Sequence, residues 1–315
     1  MKLVLAPLAG FTDAPFRRLC CEGGADLAYT EMVSAAGLAH GNSPTRHLME
    51  TMPGEGPVAC QVFGAREEDV ACAARAVSET RGRFVELNLN AGCPMTKVTR
   101  EGAGAKLVED PERIHRLLKA MVANTDLPVT LKTRIGPHPA HTNIFEILDA
   151  AERAGARGIA VHARYTSQMH GGATHLDTLA EVVARARIPV TGNGSVTDAA
   201  SLAAMAATGV AAVMIGRAAL ADPQIFARLK GAECGPRPDG AVTARRHLDY
   251  ILAFRRQLAE HFPGDHIPGE DGYASVKMHT HLFRYFNGRP GAAALRAKLN
   301  SVRTLREIYD IIIGQ

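Results

Sequence analysis

Residues 86–94 read ELNLNAGCP and deliver a thiol to the end of what looks like a buried strand. The alternation of apolar and polar residues predicts the strand. Gly92 and Pro94 flank Cys93 and place it on a loop just past the tip. A free cysteine has a pKa near ~8.5, so it is mainly protonated at neutral pH. That suits a general acid better than a nucleophile, and no general base stands beside it in sequence. This run carries Asn88 and Asn90, and other apolar runs also end in polar side chains or glycines: Gln61, Lys132 and Arg134, His162 and Arg164, Asn193 and Gly194, Gly216 and Arg217. Unpaired buried charge is costly. A lysine and a histidine at such ends therefore point to a site rather than to packing.

Eight β-rich runs carry these residues: 3–7, 26–32, 58–64, 84–90, 128–136, 158–164, 188–194 and 211–217. Helical patterns alternate with them. Asp110 before Pro111 reads as an N-cap followed by an N1 proline, and Asp222 before Pro223 repeats the signal. Gly155 and Gly209 fit helix C-termini. Eight strand–helix units predict an α/β fold, a (β/α)8 TIM barrel. The rival, an open doubly wound sheet, lacks a G-x-G-x-x-G after its first strand. A Gly/Pro-rich linker at 231–240 precedes helical patterns, with Leu248, Ile251, Leu252 and Arg255 at helical spacing. The expected division is a barrel over 1–235 and a small helical domain over 236–315.

In such a barrel the active site lies at the C-terminal strand ends. The seventh and eighth tips, with Asn193, Gly194, Gly216 and Arg217, suit a phosphorylated ligand. Lys132 could form a Schiff base. It could equally be a fixed cation at the electron-accepting edge of a flavin, with Gln61 and His162 on the ring edges. Pairing with Glu86 or Glu31 is the structural alternative.

Of 315 residues, 46% are hydrophobic and 22% charged, ordinary for a globular chain. No apolar run is long enough to span a membrane. The opening apolar run is too short for a signal peptide, and Asp13, Arg17 and Arg18 come too early. The six cysteines form no C-x-x-C pair, so no metal site is expected. Cys20, Cys21, Cys60 and Cys72 read as packed, reduced thiols, which suits the cytoplasm. Residues 236–315 hold 12 basic and 8 acidic residues, the whole of the net +4. That is a faint footprint for a polyanion.

In combination these residues resemble the dihydrouridine synthase family. The matching stretches are APLAGFTDAPFRRL (6–19), YTEM (29–32), QVFG (61–64), ELNLNAGCP (86–94) with Lys97 and Val98, EGAGAKL (101–107), PVTLKTRIG (128–136), VHAR (161–164), NG (193–194), IGRAAL (215–220) and RYFNGRPGAAALR (284–296). The N-terminal third looks closest to the bacterial B-type branch. The resemblance implies an FMN enzyme that reduces uridine to dihydrouridine in tRNA with NADPH. It implies Cys93 as proton donor, and Pro7, Leu8, Ala9, Gln61, Lys132, His162, Asn193, Gly194, Ser195, Gly216 and Arg217 as flavin contacts. Asn90, Lys97, Arg134 and Arg164 are expected on the substrate side, with Asn90 holding the uracil edge and Lys97 meeting phosphate. The enzyme is expected to act as a monomer.

The chain departs from the family pattern at three places. Ser195 stands where an aspartate is usual, Tyr165 and Thr166 where Thr-Arg is usual, and His170 near a usual aromatic. Two rivals remain: an FMN barrel acting on a small dihydropyrimidine-like molecule, and a non-catalytic RNA-binding relative. His138 and His141 read as surface residues, and His279 and His281 do not share a helix face. Arg245, Arg246, Arg255 and Arg256 could form one basic stripe.

Overall fold

The computed structural model describes residues 1–231, 239–286 and 292–314. Nine strands occur among them: β1 Lys2–Leu5, β2 Leu27–Tyr29, β3 Val33–Ser34, β4 Val58–Phe63, β5 Glu86–Ala91, β6 Val129–Arg134, β7 Ile159–His162, β8 Val190–Asn193 and β9 Ala212–Ile215. All pairings are parallel. β1 pairs with both β2 and β9, and β2 also pairs with β4, so the sheet closes into a barrel.

The expected second strand is broken after Tyr29, so β2 and β3 are two halves of one stave. Tyr29 faces Ala59 and Val33 faces Val62. The first chain advances four residues while the second advances three, which is a β-bulge. Within it the Thr30 hydroxyl accepts the Gln61 amide at 3.0 Å. Glu31, also in the bulge, accepts the Gly10 amide at 2.5 Å.

Helix Pro111–Val122 begins as expected, with the Asp110 carboxylate accepting the Arg113 amide at 2.9 Å. It buries Ile114, Leu117, Leu118 and Met121, the i, i+3, i+4, i+7 stripe that faces the sheet. Gly155 and Gly209 stand past helix ends at φ +87° and +84°. Asp222 is different. It closes helix Arg217–Ala221, accepts the Gln224 amide at 3.2 Å and pairs with Arg228, instead of opening the helix Ile225–Leu229.

Helices Gly240–His261, Glu270–Phe286, Ala292–Leu299 and Leu305–Ile313 form a second core around Leu248, Ile251, Met278, Leu282, Phe286 and Ile308. Residues 232–238, with most of the expected linker and Cys234, lie outside the described residues, as do 287–291. The two cores meet through Ala14, Met52, Phe254 and Leu258. Arg246 pairs with Glu22 at 3.0 Å, Arg245 covers the Tyr309 ring at 4.5 Å, and Arg255 donates to the Pro268 carbonyl at 2.8 Å. Three of the four stripe arginines are thus engaged within the chain. Among the described residues, no helix is long and apolar enough to cross a membrane.

Candidate active site

Side chains two apart on a strand share a face. Glu86, Asn88 and Asn90 of β5 accordingly line up and build a continuous hydrogen-bonded chain. Tyr29 and Thr130 donate to Glu86 at 2.7 and 2.5 Å, and Asn88 donates to Thr130 at 2.7 Å. Gln61 donates to Asn88 at 2.7 Å, and Asn90 donates to Gln61 at 2.8 Å. The Asn90 carbonyl then accepts the backbone amides of Gly92 and Cys93 at 3.1 and 3.0 Å. Burial raises the Glu86 pKa, and the two hydroxyl donors oppose it.

This gives Asn90 a structural part in addition to the expected one. It is buried, its amide nitrogen donates to Gln61 and its oxygen accepts from Gly92 and Cys93, so it holds the Cys93 loop, and one amide hydrogen remains for a further acceptor. Gln61 is likewise fully buried with both amide ends engaged.

Two further ties fix the same loop. Arg134 donates to the Gly92 carbonyl at 2.8 Å, and the Ala105 amide donates to the Cys93 carbonyl at 2.8 Å. Gly104 makes the second approach possible: it sits at φ +59°, and a Cβ there would lie 2.6 Å from the Cys93 oxygen. The thiol is half-buried on this clamped loop. Lys97 is exposed on the short helix Thr96–Thr99 that follows.

Arg134 and Arg164, expected on the substrate side, are buried and donate to the protein. Arg134 also reaches the Tyr165 carbonyl at 3.0 Å. Arg164 donates to the Gly171 and Gly172 carbonyls at 2.9 and 2.8 Å, to His162 at 3.2 Å and to Ser195 at 2.6 Å. Ser195 thus supplies a hydroxyl acceptor to that guanidinium. It sits at φ +55°.

Lys132 has no hydrogen-bond or ion-pair partner among the described residues. Its two carboxylate alternatives are committed elsewhere, Glu86 to Tyr29 and Thr130, Glu31 to Gly10. Burial, then Arg134, lowers its pKa to about 8, with the Cys93 thiol opposing. His162 is pushed down to about 2 by burial and by Lys132, Arg134, Arg164 and His170. It is neutral, and because Arg164 donates to Nε2, the proton sits on Nδ1. The His170 ring stacks on it at 6.3 Å. No carboxylate figures among the groups acting on Lys132, Arg134 or Arg164. These side chains form a cluster of cations with no carboxylate beside it among the described residues.

Beside it, Asn193 ties β8 to β9 by donating to the Met214 carbonyl at 2.8 Å. Gly194 stands at φ +138°, where a Cβ would lie 2.8 Å from Thr174. The amides of Gly194, Ser195, Gly216 and Arg217 have no acceptor among the described residues. Arg217 is exposed and donates to the His170 carbonyl at 3.1 Å. A Cβ at Gly216 would lie 3.7 Å from Leu8, so the turn with Pro7, Leu8 and Ala9 borders this rim. Free amides, a close backbone approach and unpaired cations suit a phosphorylated, electron-accepting ring. Sequence reasoning missed the parts played by Tyr29 and Thr130; the period-two polar pattern of β5 was the available signal.

A family model described as dihydrouridine synthase matches residues 4–311. The chain belongs to the dihydrouridine synthase family. A tRNA-dihydrouridine synthase B of Pseudomonas putida is 34% identical over 306 residues, covering 95% of this chain and 87% of that one. A probable tRNA-dihydrouridine synthase of Rhodobacter capsulatus is 36% identical over 305 residues, covering 94% of each chain. Among solved structures, morphinone reductase superposes with a TM-score of 0.51 at 14% identity, over 76% of this chain and 87% of that one. This last likeness supports the barrel alone.

Proposed function

We propose that this member of the family reduces uridine to 5,6-dihydrouridine in tRNA, using FMN at the barrel mouth and NADPH as reductant. The observation that carries this reading is a half-buried thiol clamped on its loop beside an unpaired, half-buried lysine. Family membership favours the flavin over the Schiff-base reading of Lys132. Pro7, Leu8, Ala9, Gln61, Lys132, His162, Asn193, Gly194, Ser195, Gly216 and Arg217 would hold the FMN. When bound, the flavin supplies a hydride for C6 of the uracil ring.

The remaining chemistry belongs to the chain. Cys93 gives the proton to C5, and Asn90, Arg134 and Gly104 keep its loop at the required distance. Neutral His162 offers its Nδ1 proton to a ring acceptor. Lys132 offsets the negative charge of the reduced ring. Lys97 meets backbone phosphate, which positions the RNA without reading sequence. The target base leaves its stack to reach the mouth. The separate cores support a catalytic unit over 1–235 and a helical unit over 236–315.

The test is nucleoside mass spectrometry after incubating protein, NADPH and tRNA from a synthase-deficient strain. Dihydrouridine should appear with the wild type and be lost with Cys93→Ala. Its absence with the wild type, while the flavin still oxidises NADPH, would remove the tRNA substrate.

A further inference from the structure

The helix Glu270–Phe286 of the C-terminal unit does more than pack on the barrel. It contacts helix Arg217–Ala221 after β9, and its Lys277 pairs with Asp13, which follows the turn after β1, at 3.2 Å. The two rims it touches belong to β9 and β1, adjacent strands. The turn between β1 and Asp13 contains Pro7, Leu8 and Ala9. It is tied at several points. The Leu8 amide donates to the Thr12 hydroxyl at 3.0 Å, Arg17 donates to the Thr12 carbonyl at 2.8 Å, and Gly10 donates to Glu31 at 2.5 Å. The His281 ring, one helical turn beyond Lys277, meets the Phe11 ring edge-on at 5.3 Å.

Asp13 and Glu31 are both buried, and like charges in one buried site oppose each other's ionisation. Burial raises the Glu31 pKa, with Lys277 the largest opposing influence. Asp13 raises that of Lys277 in return. Lys277 is the cation the C-terminal unit contributes to this pair. Its ammonium is thus half-buried and spent on Asp13.

We propose that Lys277 is a positioning residue for the cofactor site: by compensating Asp13 and Glu31 it lets Glu31 grip Gly10 and so fixes the turn against which the flavin lies. This rests on the placement of FMN beside Pro7, Leu8 and Ala9 given above. It makes the helical unit part of the flavin site as well as a platform for RNA. A cavity of about 200 Å³ adjoins Lys277, Asp13, Glu31 and Tyr273, which leaves room for a longer cation.

The experiment is equilibrium dialysis of FMN against apoprotein, without tRNA or NADPH. Lys277→Met should weaken FMN binding about tenfold, the scale of one charge-assisted hydrogen bond, and Lys277→Arg should restore it. A second pair keeps the balance of charge and so does not depend on Lys277→Met folding. Glu31→Gln with Lys277→Met retains an acceptor for Gly10 and should bind FMN close to the wild type. Glu31→Ala with Lys277→Met lacks it and should bind about tenfold more weakly. Equal FMN affinity in the Gln and Ala doubles would overturn the proposal, as would wild-type affinity in Lys277→Met. Failure of the wild type itself to bind FMN would instead sink the cofactor reading.

Discussion

Replacing Lys132 by methionine keeps the length and apolar stem of the side chain and removes its charge. Burial and Arg134 bring its pKa from 10.5 to about 8. At about 1.36 kcal/mol for each tenfold change in proton affinity, the protein opposes the protonated lysine by roughly 3 kcal/mol. A negative ring placed against it recovers an energy of the same order as that penalty. For a two-electron couple about 1.4 kcal/mol corresponds to ~30 mV, so the charge is worth on the order of 70 mV of flavin potential. In a redox titration of FMN-loaded protein, Lys132→Met should lower the midpoint by about 30 to 70 mV, and Lys132→Arg by less. The apoprotein should melt no lower than the wild type, because an uncompensated buried cation has been removed. A midpoint within about 10 mV of the wild type, with FMN still bound, would refute the assignment of Lys132 to the flavin.

Cys93→Ala should leave FMN binding and NADPH oxidation intact while dihydrouridine formation falls by about a hundredfold or more, as for loss of a general acid; parallel flavin and nucleoside assays check this. Gly104→Ala forces a Cβ to within 2.6 Å of the Cys93 carbonyl at a positive φ. It should cost roughly 1–2 kcal/mol of stability in denaturant titration, from the backbone conformation alone, and uncouple FMN reduction from tRNA turnover. Asn90→Ala should impair turnover more than tRNA affinity, since its amide holds the thiol loop; filter binding against turnover separates the two. Lys277, His247 and His281, against the effect of burial, bring the Asp13 pKa below its ordinary value. Its contribution is therefore complete above the unfolded-state carboxylate value of about 3.9 and is lost as pH falls through the folded value. Urea midpoints should drop below about pH 4, and Asp13→Asn should flatten that limb.

What the sequence determined by itself was local or periodic. The eight apolar runs, the Asp110 cap, Gly155 and Gly209, and the position of Cys93 on a loop past a strand tip follow from turn chemistry and strand alternation, which act within a few residues. The family motifs located the chemistry on the strand tips. Tertiary structure decided which protein groups these polar tips meet. The resemblance places Asn90, Arg134 and Arg164 on the substrate side; only the fold shows that Asn90 also meets Gln61, Arg134 the Gly92 and Tyr165 carbonyls, and Arg164 Ser195. Lys132 acquired meaning only when Glu86 and Glu31 proved to be engaged elsewhere. The bulge after Tyr29 was hidden because an extra residue is visible only against the partner strand. Nothing near Lys277 in sequence shows the carboxylate some 260 residues earlier with which it pairs. Short-range physics fixes elements; the pairing of buried charges is a long-range property, set when the chain closes on itself.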